Sequence, residues 1–187
     1  MSAAPVSGRV EHVTETVDPA CATAHGDLPP DTGPRALVAV FESPVAEYLL
    51  RFGIEVGYHT TLVEPDPSRL TGRVKAHGDH VATVLAAAAV DEHTDVVVTD
   101  HDRPELGAAL REALRLPARW VGVIGSVRHT APHLSALREL GVADGDIDRV
   151  HRPVGLNIGS RTPAEIALAT LAGLIADRNR RPGGFAF

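Results

Sequence analysis

The feature that most constrains the fold of this chain is an apolar run that stops at a glycine and a serine before a helical pattern begins. Residues 120–124 are apolar, and Gly125 and Ser126 follow them directly. A short apolar run that ends at a glycine turn predicts a buried strand, and a strand, a turn and a helix in succession predict a unit of an α/β sheet. Because such a turn leads into a helix start, it presents free backbone N–H groups and the positive end of the helix dipole.

A second glycine-containing loop precedes the last helical pattern of the chain. Thr162 is followed by a proline and, three residues after itself, by Glu165. This is the spacing of a capping box, with proline at the first helical position, where its missing N–H group costs nothing. Helix starts of this kind hold phosphates and other anions. We therefore predict an anion-binding site formed by the two loops, with the candidate residues Gly125, Ser126, Arg128, Gly155, Asn157, Gly159 and Thr162. For each glycine, turn geometry alone is the alternative explanation.

The rest of the chain alternates between strand and helix patterns. Apolar and β-branched runs predict further strands at 36–41, 55–63 and 95–99, and helical spacing predicts helices at 44–53, 81–90, 104–116, 127–140 and 163–179. This alternation predicts a Rossmann-like, doubly wound α/β fold with a mostly parallel sheet covered by helices on both faces. Residues 1–34 show no periodicity and are predicted to form a mobile or loosely docked arm, which leaves 35–187 as the Rossmann-like domain.

The turn after the first predicted strand lacks the glycines that a dinucleotide-binding fold needs. It consists of Phe41, Glu42, Ser43 and Pro44, and a carboxylate at this place would repel a phosphate. Glu64 follows about 20 residues later, where the fold keeps its ribose-binding carboxylate, so it is either such a ligand or a solvated carboxylate. The sequence therefore predicts the fold but not the usual nucleotide site, and NAD(P) is the less favoured cofactor.

A histidine between two aspartates follows the strand predicted at 95–99. Asp100, His101 and Asp102 lie at the carboxyl end of that strand, the edge at which open parallel sheets hold their ligands. Neighbouring carboxylates favour the cationic imidazole, so His101, with Asp102 beside it, could bind an anion or act as a general acid. Alternatively, Asp102 caps the next helix and His101 is merely exposed. The sequence shows no pairing of a nucleophile with a base, and the catalytic residues, if there are any, stay unknown.

Composition argues against several classes of protein. With 18 Lys and Arg against 24 Asp and Glu, the net charge is −6, which does not suit a protein that binds nucleic acid through a broad basic surface. The single cysteine, Cys21, excludes an internal disulfide framework and a multi-cysteine metal site. No apolar run approaches the ~18–20 residues of a membrane span, and no signal-peptide pattern is visible. We expect a cytoplasmic protein without nucleic-acid, membrane or metal partners.

Several linked motifs carry a resemblance to a known family. They are residues 121–126, 149–153, 153–159 and 162–167, together with the histidine-containing turn 99–102. In this order they resemble the C-terminal Rossmann domain of the XdhC/CoxI family, over most of 36–178. The resemblance implies an accessory protein that binds the molybdenum cofactor, as molybdopterin or its dinucleotide, and passes it to the apoenzyme of a molybdenum hydroxylase. Xanthine dehydrogenase and CO dehydrogenase are such enzymes, and the implied role is that of a non-catalytic cofactor chaperone.

Two other classes of function stay open at this point. One is a degenerate Rossmann oxidoreductase that uses NAD(P), which would need a phosphate cradle in the first turn. The other is an interaction or regulatory module that has lost its ligand and forms a homodimer, for instance through the arm and through Phe185 and Phe187.

Overall fold

The computed structural model describes residues 18–29, 33–72, 80–125 and 131–184. Contacts divide the chain into two compact units, Met1–Gly33 and Pro34–Phe187. The first unit contains helix α1 (Pro19–His25), which the sequence pattern does not predict. The carboxylate of Asp18 caps this helix by accepting a hydrogen bond from the backbone N of Ala20 at 2.9 Å. A mobile or loosely docked arm at 1–34 stays a prediction.

The second unit is built around a sheet of six parallel strands in the order β3-β2-β1-β4-β5-β6. The strands are β1 (Ala36–Val40), β2 (His59–Val63), β3 (His80–Ala82), β4 (Thr94–Val98), β5 (Trp120–Val123) and β6 (Val150–His151). The α-helices described in this unit are α2 (Pro44–Glu55), α3 (Leu106–Arg115), α4 (Pro132–Glu139), α5 (Asp144–Ile147) and α6 (Pro163–Arg178). The predicted fold class is confirmed, since this strand order is that of a doubly wound Rossmann-type sheet.

The central strands are buried on both faces. Successive side chains of β1 point to opposite sides of the sheet. Val38 and Val40 pack on the side of α3 and α4, and Leu37 and Ala39 pack on the side of α2 and α6. All residues of β4 are buried. Nearly continuous apolar strands are what a parallel sheet with two covered faces requires.

Helix α2 is longer than the sequence pattern indicates. Ser43 caps it by accepting a hydrogen bond from the backbone N of Ala46 at 3.0 Å, and the helix runs through Gly53 instead of ending there. A Cβ atom at Gly53 would lie 3.0 Å from the side chain of Leu37, so this glycine allows the helix to pack closely on β1. The strand predicted from residue 55 consequently begins only at His59.

The prediction of a helix at 81–90 is wrong. Val81 belongs to β3 and pairs with Leu62 of β2, and only a 3-10 turn at Leu85–Ala88 follows. Ala89 then adopts a left-handed conformation with φ 49°. Pairing at the sheet edge outweighs the helix propensity of the alanines, which is a weak preference. The predicted cap of that helix, Asp79, lies outside the described residues.

The later helices agree with the sequence except at their starts. Helix α3 begins at Leu106 and its N-terminus has no side-chain cap, so the alternative in which Asp102 caps this helix is wrong. Helix α4 begins with Pro132 in its first turn, and 126–130 lie outside the described residues. The capping box of Thr162 and Glu165 at the start of α6 is confirmed. In the described part of the chain, no helix has the length and apolarity needed to cross a bilayer.

A buried polar cluster fixes the end of α6 to the amino end of β4. Asp95 is fully buried, and its carboxylate accepts hydrogen bonds from Arg119 Nε at 2.6 Å and Arg178 Nε at 2.9 Å. Arg178 Nη2 also donates to the carbonyl oxygen of His93 at 2.5 Å. Arg178 opens the densest basic cluster of the sequence, and its guanidinium is bound within the fold.

Candidate functional site

All strands of the sheet run in one direction, so their carboxyl ends meet at a single edge. Strand β1 lies between β2 and β4, and the chain therefore leaves β1 and β4 toward opposite sides of the sheet. Ligands of open α/β sheets bind outside the carboxyl ends of the strands near such a switch point. The loops that follow β1, β2, β4, β5 and β6 thus carry the candidate site residues.

The turn after β1 is occupied by contacts within the protein. Phe41 has φ 73°, a left-handed conformation that usually requires glycine, and its side chain is fully buried. The backbone N of Glu42 donates a hydrogen bond to Glu64 Oε2 at 2.8 Å. Ser43 Oγ donates to Thr99 Oγ1 at 3.0 Å, and Thr99 Oγ1 donates to the carbonyl oxygen of Phe41 at 2.7 Å. An N–H group that would face a phosphate in a dinucleotide-binding turn is therefore bound to a carboxylate.

Glu64 forms a buried ion pair with Arg103. Arg103 Nη1 donates to Oε2 at 3.1 Å and Nη2 donates to Oε1 at 2.7 Å, and Glu64 is 0% exposed. The guanidinium also lies 4.5 Å from the centre of the Phe41 ring. Burial alone would raise the pKa of Glu64, but hydrogen bonds from Arg103 and from the backbone N–H groups of Glu42 and Asp66 outweigh it and lower the pKa. Glu64 is thus ionised and paired. The alternative in which it is a solvated carboxylate is wrong.

These contacts lie at the turn on which a Rossmann fold usually holds the pyrophosphate of a dinucleotide. The loop after β2 also closes over the turn, because the carboxylate of Glu42 accepts hydrogen bonds from the backbone N of Thr71 at 2.9 Å and from the Thr71 hydroxyl. The sequence interpretation missed Arg103. The signal was available: Glu64 and Arg103 carry opposite charges and follow the two strands that flank β1.

His101 and Asp102 lie together after β4. His101 Nε2 is 3.6 Å from Asp102 Oδ1, and the side chains are 27% and 85% exposed. The backbone N of Asp102 donates to Asp100 Oδ1 at 3.0 Å, which makes a tight turn at this place. Asp102 is mostly solvated and His101 is partly buried, and their roles in binding stay predictions.

Gly125 lies against an arginine that follows β6. A Cβ atom at Gly125 would lie 2.6 Å from Arg152 Nε and 3.0 Å from Nη2, so the guanidinium lies close to the glycine backbone and would have to shift for a larger residue. The neighbouring residue Ile124 continues the sheet by donating its backbone N–H to the carbonyl oxygen of Val98 at 2.9 Å. The ends of β5 and β6 therefore place a positive charge directly beside a bare backbone.

A buried histidine in the first turn of α4 is coupled to the same guanidinium. His133 is 5% exposed, and within the described part of the structure its Nδ1 has no hydrogen-bond partner. Burial lowers the pKa of His133, and the positive charge of Arg152 lowers it further. The imidazole is consequently neutral at pH 7. The sequence interpretation assigned no role to either residue. Arg152 could have been identified in the sequence, because it directly follows β6 and so lies at the same sheet edge as Gly125. No sequence signal pointed to His133.

Gly155 packs against the middle of α6. A Cβ atom there would lie 2.7 Å from the backbone C of Ala169 and from the backbone N of Thr170, and the φ of Gly155 is 82°. The backbone N of Leu156 donates to the carbonyl oxygen of Ala169 at 3.0 Å. This close approach of two backbones explains the glycine, which was the alternative to a ligand role. A role of Gly155 in binding stays a prediction.

The start of α6 uses its N–H groups for its own capping box. Glu165 N donates to Thr162 Oγ1 at 3.2 Å, and Glu165 Oε2 accepts from Thr162 N at 3.2 Å and Arg161 N at 2.6 Å. A carboxylate therefore stands where an anion was predicted to bind. Asn157 and Gly159 are exposed in the preceding loop.

The residues of the predicted anion site have different surroundings in the structure, and their role in binding stays a prediction. Gly125 lies at the sheet edge, Gly155 and Thr162 have structural partners on α6, and Ser126 and Arg128 lie outside the described residues. The described residues contain no cluster of three or more potential metal ligands.

The fold and this sheet edge define a Rossmann-type α/β domain whose first turn is occupied by internal contacts and whose β5–β6 edge carries a partly buried guanidinium. A family model described as the XdhC Rossmann domain matches residues 37–174. The chain belongs to this family, which confirms the resemblance seen in the sequence.

Two further comparisons found similar proteins. An uncharacterized protein of Escherichia coli K12, YqeB, is 39% identical over 99 residues, which are 53% of this chain and 18% of that protein. A crystal structure described as a xanthine dehydrogenase from Bacillus halodurans is similar in fold, with a TM-score of 0.64 at 22% sequence identity, over 82% of this chain and 46% of that chain. The chain therefore spans less than half the length of either protein.

Proposed function

We propose that this chain is a non-catalytic accessory protein that binds the molybdenum cofactor, as molybdopterin or its dinucleotide, for a xanthine dehydrogenase-type or CO dehydrogenase-type enzyme. The observation that carries the proposal is the match of the XdhC Rossmann domain over residues 37–174. The similar Bacillus halodurans structure, which is described as a xanthine dehydrogenase, supports the same class of client. We further propose that the apoenzyme of that client is the partner, that the protein acts in the cytoplasm, and that it forms a homodimer.

The charge of the β5–β6 edge suits such a cofactor. The cofactor is a pterin that carries a phosphate, and the guanidinium of Arg152 beside Gly125 places a positive charge at this edge. In the client enzyme the cofactor supplies the redox chemistry. The task of this chain is then to hold the anionic group, to keep it from solvent and to release it to the apoenzyme.

The occupied first turn argues against an NAD(P)-dependent oxidoreductase. A dinucleotide needs backbone N–H groups free to approach its pyrophosphate, whereas here the N–H of Glu42 donates to Glu64, which is paired with Arg103, and the guanidinium of Arg103 packs on the ring of Phe41. The same closure favours a second candidate, an interaction or regulatory module that has lost its ligand. The two remaining candidates differ in one property, which is whether the protein carries a pterin.

Mass spectrometry of the ligand released from the native protein tests the proposal. The protein is produced in a host that makes the molybdenum cofactor and, as a control, in a host that cannot synthesise the pterin. We expect a pterin phosphate or its nucleotide to be released from the first preparation only. If neither preparation releases a pterin and calorimetry detects no binding of a pterin or a nucleotide, the ligand-free module is correct.

A further inference from the structure

We propose that a cavity on the α3 side of the sheet, at the carboxyl ends of β1 and β2, binds a planar ring that carries an amino group, with Glu105 as the acceptor for that group. This inference deepens the proposed function, on which it rests for the identity of the whole ligand. The ring is the amino-bearing ring of the pterin or, in a dinucleotide form of the cofactor, the nucleobase.

The first step of the argument is the cavity itself. It has a volume of about 180 Å³ and is open to solvent. Its walls include Val40 and Val63, which end β1 and β2, and Ala108 and Ala109 of α3. Because a cavity of about 150 Å³ is sufficient for benzene, this one has room for a single aromatic ring. It also lies at the carboxyl ends of the strands, where open α/β sheets bind their ligands.

The second step is the chemistry of the walls. Apart from Thr83 and apolar residues, the described residues that line the cavity are two glutamates, Glu105 and Glu112. Carboxylates accept hydrogen bonds and repel anions, so the cavity does not suit a phosphate. A ring with an amino group fits both properties of the walls, because the ring covers apolar surface while the amino group donates to a carboxylate.

Glu105 is the better acceptor of the two glutamates. Glu112 Oε1 already accepts a hydrogen bond from the backbone N of Ala86 at 3.1 Å. Glu105 Oε2 is buried 3.4 Å from Arg103 Nε, and neither atom has a hydrogen-bond partner in the described part of the structure. The two Nη atoms of Arg103 donate to Glu64 instead. Glu105, whose side chain is 33% exposed, is thus held by the charge of Arg103 and keeps acceptor capacity for a donor in the cavity that it lines.

A third feature is an exposed apolar side chain in the cavity wall. Val84 lines the cavity and is 50% exposed, and a bound ring would cover part of its surface, which favours binding. Phe41, Glu64 and Arg103, whose contacts occupy the first turn, do not line the cavity. Those contacts therefore do not compete with a ring bound there, and the phosphate of the ligand would lie outside the cavity.

The test measures the binding of three compounds to the full chain by calorimetry: pterin, cytidine and guanosine. Each has a matched control in which the amino group is absent or replaced by an oxygen, namely lumazine, uridine and inosine. We expect at least one amino compound to bind saturably and its control to bind about 10- to 100-fold more weakly, the range typical of a hydrogen bond to a charged group. The compound that binds distinguishes the pterin from the nucleobase as the occupant.

Two variants test the site, and each has a control. Glu105→Gln should lower the affinity about 10- to 100-fold, whereas Glu139→Gln, which removes an exposed carboxylate of α4, should leave it unchanged. Ala108→Leu fills the cavity and should abolish binding, whereas Ala87→Leu adds the same side chain at an exposed position that does not line the cavity. Thermal unfolding shows whether each variant is folded. Because Ala108 is exposed, its variant remains a test if Glu105→Gln does not fold.

The proposal is overturned if no amino compound binds, if the controls bind equally well, or if Ala87→Leu lowers affinity as much as Ala108→Leu. The released-ligand experiment separates this inference from the proposed function. A pterin retained equally by wild type and Ala108→Leu would refute the cavity as its site and leave the cofactor role intact. Binding of an amino compound that depends on Glu105, without any retained pterin, would refute the cofactor role alone.

Discussion

Removal of Arg103 is the perturbation whose effect the structure predicts most directly. Arg103→Ala leaves Glu64 fully buried and without its two guanidinium donors, which lie at 2.7 and 3.1 Å. Breaking a buried ion pair in this way costs about 3–5 kcal/mol. Because Glu64 keeps hydrogen bonds from the backbone N of Glu42 and of Asp66, we expect the lower end, about 3 kcal/mol in the free energy of unfolding. For a chain of this size that corresponds to a melting temperature lowered by roughly 6–12 °C.

Urea unfolding at pH 7 measures this loss, and an exposed ion pair of the same chain provides the control. Arg138 and Asp144 form a 3.0 Å pair whose side chains are 60% and 75% exposed, so Arg138→Ala should cost less than about 1 kcal/mol. Replacing both buried partners, as Glu64→Gln with Arg103→Met, should cost less than Arg103→Ala because no charge is then left unpaired. Equal losses for Arg103→Ala and Arg138→Ala would refute the reasoning.

The same pair predicts how stability changes with pH. The pKa of Glu64 is lowered in the folded protein, so its contribution to stability is fully present above the ordinary glutamate value of about 4.3 and is lost as the pH falls through the lowered folded value. In Arg103→Ala the burial of Glu64 dominates, and protonation relieves the unpaired charge. The difference in stability between wild type and Arg103→Ala should therefore be largest near neutral pH and shrink in acid. A difference that stays constant down to pH 3 would contradict this account.

Three further substitutions and one control test the packing of the glycines and the cap of α6. Gly122→Ala should destabilise the domain by about 1–3 kcal/mol, because the new Cβ would lie 2.2 Å from the ring of Trp120, whereas Gly145→Ala meets no atom within 4 Å and should change the melting temperature little. Gly155→Ala should cost more than Gly122→Ala, because its Cβ would meet backbone atoms at 2.7 Å and its φ is 82°. Thr162→Ala removes the capping box of α6 and should cost about 0.5–2 kcal/mol, measurable by thermal unfolding.

The sequence predicts the fold well because the strands are continuous apolar runs and the helices carry recognisable starts. Proline at the first position and a hydroxyl cap identify the starts of α2 and α6. The prediction of a helix at 81–90 is wrong because the helix propensity of alanine is weak. The sheet pairing of Val81 with Leu62 overrides it. Such pairing joins segments far apart in the chain, and a local pattern does not contain it.

The candidate site is harder to predict because its contacts join residues that are distant in sequence. Gly125 is a visible turn residue, but the guanidinium that lies against it comes from Arg152, after two helices and a strand. Glu64 is placed at the correct strand end by its spacing, yet only the fold shows that Arg103 neutralises it. A helix start in the sequence also does not reveal whether its N–H groups are free, as the carboxylate of Glu165 at α6 demonstrates.

The filled turn after β1 has a consequence for relatives of this chain. Phe41 is fully buried at this turn, and the guanidinium of Arg103 packs on its ring. A related sequence with glycine in place of Phe41 and a small residue in place of Arg103 would open this turn and leave the carboxylate of Glu64 available to a ribose. We therefore expect the residues at these two positions to distinguish family members that can bind a dinucleotide at this turn from family members that cannot.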